Sequence, residues 1–364
     1  MRILIIDPQF EDAPDVERAV TGPDADIVVW RTLEQGFPPP EEFANCDALI
    51  NCRSRNAIRP ETVAVMDRCR IVSQAGVGFN HIDIVACAER GIPVCNAPDY
   101  GTAEVADHAV TLAMALLRGI VAYDAKLRTR KIGWDARAQK TVQRTRGLTF
   151  GVLGLGRIGT AAALRAAAFG MEIAFHDPYL APGVERSFGF RRAETLDDLM
   201  VTTDILSVHT PLTDETQGII GAANLACAKP GMRLINTSRG GTMDLDAVEA
   251  ALRDGRLGGV ALDVLPQEPL DYTHPLIRAF EASEDWLDGR LIITPHAAFF
   301  SPDSVIDMRR IATENVVNYL RSGRLRSCVN AALLPESVVQ GGGAPPSGFV
   351  ANYTPGPTKN PPSE

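Results

Sequence analysis

Short apolar runs recur along the N-terminal part of the chain, and the segments between several of them have helical periodicity. These runs are Ile3–Ile6, Ile27–Trp30, Ala48–Asn51, Arg70–Ser73 and Pro93–Asn96. An alternation of short apolar runs with helices is typical of βαβ units, in which helices cover the faces of a parallel sheet. The pattern therefore predicts a parallel α/β sheet in this part of the chain.

A second alternation begins near Leu148, after a segment of different character. The pattern over 101–118 predicts a long helix that is apolar on more than one face. The charged stretch 126–146 is interpreted as a surface excursion that Trp134 should anchor. The strands predicted beyond it are Thr149–Leu153, Glu172–His176, Ile205–His209, Met232–Asn236, Gly259–Asp263 and Leu291–Thr294. This repeat predicts a doubly wound sheet of the nucleotide-binding type, and one more helix is predicted over 302–322.

Composition narrows the class of protein. A chain of 364 residues, 45% hydrophobic and 22% charged, has enough apolar material for about two globular domains. The formal net charge of −9 disfavours a nucleic acid or an anionic membrane as the main partner. Residues 335–364 differ, because 15 of these 30 positions are Gly, Pro or Ser, and we predict a flexible tail there.

The cysteines and the N-terminus bear on the compartment. The seven cysteines are odd in number and contain no CxxC pair, which favours reduced thiols. The chain opens with the strand-like segment Arg2–Asp7 and shows neither the pattern of a secretory leader nor an apolar run that could span a bilayer. We therefore expect a cytoplasmic protein. No His/Cys/Asp cluster has metal-binding spacing, so we expect no metal.

The strongest local motif is GLGRIG, which follows a predicted strand and opens an Ala-rich helix. In this context Gly154 permits a tight turn, Gly156 lets a pyrophosphate approach the backbone, and Gly159 allows the helix to pack closely on the strand. The N–H groups of Arg157, Ile158 and Gly159, at the positive end of the helix dipole, suit a phosphate. The motif therefore predicts a dinucleotide site.

Asp177, at the end of the next predicted strand, bears on the choice of dinucleotide. Its carboxylate can accept hydrogen bonds from both ribose hydroxyls, whereas it would repel a 2′-phosphate. We therefore expect NAD, with NADP disfavoured. Alternatively, Asp177 is only a turn residue before Pro178.

Three further strand ends bring polar groups to the edge of this sheet at which ligands bind. Arg239 follows one strand, Glu268 lies in the loop after another, and His296 ends the last. Reduction of a 2-keto acid needs a cation for the carboxylate and the carbonyl oxygen, and a proton for the alkoxide that forms. Arg239 can supply the cation and His296 the proton, while Glu268 can hold the imidazole and favour its charged form. Taken singly, each has a structural alternative, namely a salt bridge, a solvated loop residue, and a cap or core histidine.

Together these segments resemble the D-isomer-specific 2-hydroxyacid dehydrogenase family over about residues 45–330. The distinctive motifs are Gly76–Asp83, the glycine loop, His209–Thr213, Asn236–Gly240, Asp263–Pro269 and Pro295–His296. Within the family, the segments 295–301 and 328–330 and the loose tail are most similar to the branch of the C-terminal-binding proteins.

The resemblance implies two doubly wound parallel-sheet domains with a cleft between them. A flavodoxin-like outer domain, residues 1–98 and 297–334, would be interrupted by a Rossmann-type NAD-binding domain, residues 99–296, and 335–364 would be the tail. The resemblance also implies a homodimer built through the NAD-binding domain.

The resemblance assigns roles to individual residues as well. It gives Arg239, Glu268 and His296 the catalytic roles argued above, and it suggests that the backbone of Val77 and Gly78 binds the substrate carboxylate. The residues that it places near the cofactor are His209, Thr210, Pro211, Thr237 and Asp263. Of these, His209 could act through its backbone alone.

The chain departs from that branch around the substrate. Phe299 and Phe300 stand where the C-terminal-binding proteins have a Trp-Tyr pair, and Gln74 stands in place of an arginine. We predict that one of these two rings forms the wall of an apolar pocket, with Phe299 as the candidate substrate-binding residue. Such a pocket would suit a branched, aromatic or thioether side chain. Arg53 either replaces the lost positive charge or is a surface residue.

These inferences predict an NAD-dependent oxidoreductase that transfers a hydride between nicotinamide and the 2-position of a small 2-hydroxy or 2-keto acid. Glu268 argues against the related oxidation of formate, in which a glutamine typically partners the histidine, and an unusual acid such as phosphite stays open. The alternative function is an NAD(H)-sensing, corepressor-like scaffold with little catalysis.

Overall fold

The computed structural model describes residues 1–339. The strands are β1 (Arg2–Ile6), β2 (Asp26–Trp30), β3 (Ala48–Asn51), β4 (Val72–Gln74), β5 (Val94–Cys95), β6 (Thr149–Leu153), β7 (Glu172–His176), β8 (Arg191–Arg192), β9 (Ile205–Val208), β10 (Met232–Asn236), β11 (Leu257–Leu262) and β12 (Leu291–Ile293). The α-helices are α1 (Asp15–Thr21), α2 (Thr32–Gln35), α3 (Pro40–Asn45), α4 (Pro60–Ala64), α5 (Ile84–Glu89), α6 (Thr102–Arg118), α7 (Ile120–Arg128), α8 (Arg157–Ala168), α9 (Val184–Phe188), α10 (Leu196–Thr202), α11 (Ala222–Cys227), α12 (Leu245–Arg253), α13 (Pro275–Glu281), α14 (Pro302–Ser322) and α15 (Glu336–Val339). Single 3-10 turns lie at Ala136–Ala138, Gly240–Thr242, Asp285–Leu287 and Ala331–Leu333.

The described chain divides into two compact units, each with its own sheet. The first unit consists of Met1–Gly101 together with the described residues from Phe300 onward, and the second consists of Thr102–Phe299.

The first unit is built on a five-stranded parallel sheet in the order β2-β1-β3-β4-β5. This is the order of flavodoxin-like doubly wound sheets. Its core contains apolar strand residues such as Leu4, Leu49 and Val72. Helix α14 packs against α1 and β4. Ser301 caps its first turn and Gly323, in the left-handed conformation, ends it.

The second unit is built on a seven-stranded parallel sheet in the order β12-β11-β10-β9-β6-β7-β8. The order reverses between β6 and β9, as it does in Rossmann-type sheets. Neighbouring strand residues serve different apolar cores, since Leu234 joins Leu199 and Val248 in one cluster while Ile235 joins Ala109 in the other. The predicted α/β class with two doubly wound parallel sheets is confirmed.

Several strands differ from the prediction by one or two residues, among them β11, which begins at Leu257 and not at Gly259, and one strand was not predicted. Strand β4 begins two residues later than expected. Strand β5 is shorter than 93–96, because Pro93 has no N–H to donate and the Asn96 N–H bonds to the Ser327 carbonyl instead. Strand β8 was not predicted, because Arg191–Arg192 contains no apolar run; it lies at the sheet edge and pairs with β7 alone.

The excursion between α6 and β6 is anchored by a residue other than the one expected. Trp134 is 97% exposed, so the prediction that it anchors this segment is wrong. Gln139 is buried instead; its amide donates to the Thr141 hydroxyl and accepts from the Lys126 ammonium. It also packs so closely on Gly289 that a Cβ there would collide with it. A buried amide therefore holds the segment in place of the aromatic ring.

The predicted tail falls almost wholly on residues 340–364, which lie outside the described residues. The described part of it contains the short helix α15. Within residues 1–339, no single helix has the length and apolar character needed to cross a membrane, although the bent pair α6 and α7 together meets those two criteria.

Candidate active site

The predicted cofactor and catalytic residues all lie in the second unit, at or just beyond the carboxyl ends of its strands. The glycine loop follows β6, Asp177 follows β7, and the segment 209–211 follows β9. Arg239 follows β10, Glu268 lies in the loop after β11, and His296 lies beyond β12. In doubly wound sheets ligands bind at this edge, at the point where the strand order reverses.

The three glycines of the loop differ in what surrounds them. Gly154 has a φ of +89°, a conformation that strains any residue with a Cβ. A Cβ on Gly159 would lie 2.1 Å from the Gly154 carbonyl oxygen, whereas a Cβ on Gly156 would meet nothing within 4 Å. Gly154 and Gly159 are therefore required by the fold itself. The space in front of Gly156, at the start of α8, is the cradle that a pyrophosphate needs.

Asp177 lies against this loop. One of its carboxylate oxygens accepts the Leu155 N–H at 2.9 Å, and the other accepts the Tyr179 N–H at 3.0 Å. The residue therefore both closes its own turn and borders the glycine loop. The neighbouring cation, Arg192, donates to the Asp177 carbonyl at 3.2 Å but is paired with Glu185 at 3.1 Å.

Two threonines at the same edge carry buried hydroxyl groups. The Oγ1 atoms of Thr210 and Thr237 have no hydrogen-bond partner among the described residues. Buried hydroxyls normally have a partner, so these two atoms point to a polar ligand. With the open cradle at Gly156 and the carboxylate of Asp177, they fit a dinucleotide.

His209 and Pro211 flank the first of these threonines. The imidazole of His209 lies 2.8 Å from the Ser207 hydroxyl. Burial lowers the pKa of His209 to about 4, so the ring is neutral at physiological pH. Pro211 is exposed.

His296 and Glu268 form a hydrogen-bonded pair, with 2.7 Å between Nδ1 and the carboxylate. The second oxygen of Glu268 accepts the Leu265 N–H at 3.0 Å. Burial acts to raise the pKa of Glu268, but the bond to His296, the backbone bond and the charge of Arg239 outweigh it and lower that pKa. Since Nδ1 is engaged by Glu268, the ring presents Nε2 to a reacting group.

Arg239 is brought towards this pair by close packing of two loops. A Cβ on the next residue, Gly240, would lie 1.9 Å from the Leu265 carbonyl carbon, so the loops after β10 and β11 touch where only glycine fits. One guanidinium nitrogen of Arg239 donates to the Ser238 carbonyl at 2.6 Å. The site thus combines a cation, an anion and an imidazole.

The loop that carries His296 has an unusual backbone. His296 has a φ of +52°, which is uncommon for a residue with a side chain. Its N–H bonds to the carbonyls of Asp263 and Thr294, and the Asp263 carboxylate accepts the Ala297 and Ala298 N–H groups at 2.8 and 2.9 Å. Asp263, which was expected only near the cofactor, therefore also holds the loop of His296.

A neighbour of this loop that the sequence did not indicate is His108 on α6. Its Nε2 lies 3.1 Å from the Thr294 hydroxyl and 3.7 Å from the Asp263 carboxylate. It sits in the middle of a helix, outside every motif, so no local signal marks it.

Phe299 packs against His296. Its ring meets the His296 ring edge-on, with centroids 6.4 Å apart. The next residue, Phe300, is exposed.

The predicted substrate residues of the first unit lie at the carboxyl edge of its own sheet. The Val77 carbonyl accepts the Asn96 side-chain amide at 2.8 Å, and no backbone hydrogen bond in residues 1–339 uses the N–H of Val77 or Gly78. Arg53 is exposed, and Gln74 is buried beside His81. The support from Asn96 was not predicted, because no motif marks that residue.

No group of three or more His, Cys, Asp or Glu residues is arranged to hold a metal ion in the part of the chain that the structure describes.

Comparisons with known proteins show which family this chain is similar to. Residues 110–298 match the family model of the D-isomer specific 2-hydroxyacid dehydrogenase, NAD binding domain. The chain is 31% identical over 337 residues to a D-3-phosphoglycerate dehydrogenase of Archaeoglobus fulgidus. The matched region covers 93% of this chain and 60% of that protein.

Solved structures show the same similarity. The TT0316 protein from Thermus thermophilus matches with a TM-score of 0.76 and 30% identity, covering 90% of this chain and 99% of that one. A D-lactate dehydrogenase from Aquifex aeolicus, complexed with NAD and lactic acid, matches with a TM-score of 0.73 and 25% identity over 88% and 95%. The chain spans about 60% of the length of the curated relatives that it matches.

Proposed function

The chain belongs to the D-isomer-specific 2-hydroxyacid dehydrogenase family, and on this premise we propose that it is an NAD-dependent oxidoreductase acting on small 2-hydroxy or 2-keto acids. The observation that carries the proposal is the His296–Glu268 pair, 2.7 Å apart, at the same sheet edge as Arg239 and the glycine loop. An acid–base pair, a cation and a dinucleotide cradle are together what a 2-keto acid reduction requires.

Arg239, His296 and Glu268 would each have a separate role in the reaction. When bound, nicotinamide supplies the hydride for reduction or accepts it in oxidation. Arg239 binds the substrate carboxylate and polarises the keto oxygen. Charged His296 gives the proton on Nε2 to the developing alkoxide, while Glu268 stabilises the imidazolium through Nδ1. In oxidation the neutral imidazole takes the hydroxyl proton.

The cofactor would lie along the glycine loop. Gly154, Gly156 and Gly159 with the N–H groups of Arg157 and Ile158 would hold the pyrophosphate, and Asp177 the ribose hydroxyls. His209, Thr210, Pro211, Thr237 and Asp263 would line the remainder of the dinucleotide site. The carboxylate of Asp177 favours NAD over NADP because Arg192, the nearby cation, is already paired with Glu185.

Phe299 and residues of the first unit would determine which substrate is bound. An apolar ring packed on His296 supports a branched, aromatic or thioether side chain, with the carboxylate also bound by the Val77 and Gly78 backbone. A second candidate is a phosphorylated 2-hydroxy acid, which exposed Arg53 and the similarity to a D-3-phosphoglycerate dehydrogenase favour. Arg53→Ala should then lower kcat/KM for the phosphorylated acid alone.

We further propose that the protein is cytoplasmic, that it belongs to the branch of the C-terminal-binding proteins, and that it forms a homodimer through the second unit. Ile120, Val121 and Trp134 are large apolar residues exposed on that unit, which is typical of a contact surface. Sedimentation equilibrium should give twice the chain mass, and Val121→Glu should shift the protein towards monomer.

The test of the enzymatic proposal is oxidation of NADH, then of NADPH, in the presence of a panel of 2-keto acids. The panel would run from glyoxylate, pyruvate and hydroxypyruvate to phenylpyruvate and 4-methylthio-2-oxobutyrate, with D-3-phosphoglycerate and NAD in the reverse direction. Arg239→Ala and His296→Ala should each lower kcat/KM by at least about 100-fold. Arg128→Ala, which removes an exposed ion pair with Asp124, should leave it unchanged.

The outcomes separate the candidates. Glyoxylate and hydroxypyruvate far outperforming the bulkier acids would contradict the apolar pocket. Tight NADH binding without turnover on any acid would contradict the enzymatic proposal and favour an NAD(H)-sensing scaffold, for which NADH-dependent capture of a partner is the next measurement.

A further inference from the structure

A buried carboxylate lies directly behind the loop of His296. Asp263 is only 2% exposed. Its Oδ1 accepts the Thr294 hydroxyl at 2.5 Å and the Ala297 N–H at 2.8 Å, and its Oδ2 accepts the Ala298 N–H at 2.9 Å. One side chain therefore holds the 294–298 loop on both sides of His296.

His108 approaches the same carboxylate from helix α6. Its Nε2 lies 3.1 Å from the Thr294 hydroxyl oxygen and 3.7 Å from Oδ1 of Asp263. Among the Lys, Arg and His side chains of residues 1–339, only that of His108 has a nitrogen within 4 Å of the Asp263 carboxylate. The imidazole thus approaches this buried carboxylate from the helix side, through the Thr294 hydroxyl.

The hydrogen-bond inventory fixes the direction of the contact. A threonine hydroxyl has one proton, and that of Thr294 is directed to the Asp263 carboxylate. The hydroxyl oxygen can therefore only accept from His108, so Nε2 of His108 must carry a proton. The result is a directed chain of donors from His108 through Thr294 to Asp263.

We propose that His108 is a positioning residue which, through Thr294 and Asp263, holds the 294–298 loop in the backbone conformation that presents His296 to the substrate. The left-handed φ of +52° at His296 needs such support, because a residue with a side chain rarely adopts it unless its surroundings impose it. The inference rests on the proposed function, since it concerns how the proton donor of that reaction is placed.

The kinetic test compares a leucine and a glutamine at this position. His108→Leu removes the donor to Thr294 and should lower kcat by about tenfold, because small displacements of a catalytic group are costly, while the KM for NADH stays within about twofold. His108→Gln offers an amide N–H to the same hydroxyl and should recover most of the loss. A residue that only fills space would be replaced better by leucine than by glutamine.

A double mutant tests the route of the effect. If His108 acts through Thr294, the loss of kcat in His108→Leu with Thr294→Val should be no larger than in the worse of the two single variants. Multiplying losses would show that His108 does not act through Thr294 and would overturn the proposal.

A second readout does not require turnover. Amide hydrogen exchange at Ala297 and Ala298 should be about tenfold faster in His108→Leu and close to wild type in His108→Gln. The control is His274→Leu, which removes an imidazole 3.1 Å from Asp246 and should change neither the exchange at these amides nor kcat.

The two proposals can fail separately. Turnover that depends on Arg239 and His296, with unchanged kcat and unchanged amide exchange in His108→Leu, would overturn the role of His108 and leave the enzymatic function standing. A wild-type protein without turnover would overturn the function, and the exchange rates would still decide whether His108 holds the loop.

Discussion

A methyl group added at Gly156 should weaken cofactor binding without weakening the fold. The position has a φ of −75° and a ψ of −160°, which alanine adopts without strain, and an added Cβ would meet nothing within 4 Å. The free energy of unfolding of Gly156→Ala should therefore change by less than about 0.5 kcal/mol. The methyl group would occupy the space proposed for the pyrophosphate, so the Kd for NADH should rise at least about tenfold, which corresponds to about 1.4 kcal/mol.

The same change three residues later should damage both properties. A Cβ on Gly159 would lie 2.1 Å from the Gly154 oxygen and 3.0 Å from a methyl carbon of Val152. Carbon and oxygen atoms in contact are usually about 3.3–3.6 Å apart, so α8 has to move away from β6 by about 1 Å. Overpacking of this kind costs about 1–3 kcal/mol, and the shift also displaces the N–H groups at the start of the helix.

The assay is an equilibrium titration of NADH fluorescence beside thermal unfolding of the same samples. Gly221→Ala is the matched control, because Gly221 also precedes a helix of the second unit in an extended conformation and lies outside the proposed cofactor site. It should leave the Kd for NADH unchanged. Wild-type affinity in Gly156→Ala would refute the placing of the pyrophosphate at Gly156, and wild-type stability in Gly159→Ala would refute the structural role of Gly159.

Further predictions concern three ionisable groups, Glu268, His209 and Arg309. Burial acts to raise the pKa of Glu268, but hydrogen bonds and the charge of Arg239 lower it overall from its ordinary value of 4.5. Its ionised form therefore stabilises the folded state above pH 4.5, and this contribution is lost only as the pH falls through the lowered pKa. We expect kcat/KM to show no loss from protonation of Glu268 above pH 4.5. Glu268→Gln should lower kcat by about 100-fold or more, measured at pH 7 with the best substrate. Burial holds the pKa of His209 at about 4, so the Kd for NADH should show no step from this residue between about pH 5.5 and 8 in titrations across that range. The Arg309 guanidinium lies 2.7 Å from the buried Glu17 carboxylate, so Arg309→Met should lower the free energy of unfolding in urea by about 3–5 kcal/mol. Arg68→Met breaks an exposed pair of similar length and should lower it by less than about 1 kcal/mol. Equal losses in the two variants would contradict the argument from burial.

Features with a local signal were predictable from the sequence. The run Met232–Asn236 forms a strand with the predicted bounds, because apolar side chains are needed on both faces of a covered parallel sheet. Helix α14 begins at Pro302 and ends at Ser322 as expected, since Ser301 and Gly323 supply the cap at each end. Such signals lie within a few residues of the feature that they determine.

Features that depend on distant partners were not predictable in the same way. Strand β8 consists of two arginines, and what makes it a strand is the free edge of β7. Gln139 is buried because Gly289, far along the chain, leaves room for its amide. Nothing in the sequence of a charged segment indicates that one of its polar residues is buried. An aromatic residue such as Trp134 suggests a buried anchor, but its side chain is exposed.

The candidate site contains both kinds of feature, some with a local sequence signal and some that depend on distant partners. Arg239, Glu268 and His296 could be grouped from the sequence because each follows a strand, and the ends of parallel strands share one edge of a sheet. His108 could not, since it is 186 residues from Thr294 and belongs to a helix, for which the sheet gives no such rule. Its polarity within a largely apolar helix was visible, but the choice between solvent and the edge of β12 depends on how α6 lies on the sheet. In a doubly wound domain, a polar residue in a helix that packs on the sheet near its carboxyl edge is therefore a candidate for the layer that supports the catalytic residues, and the structure is needed to identify it.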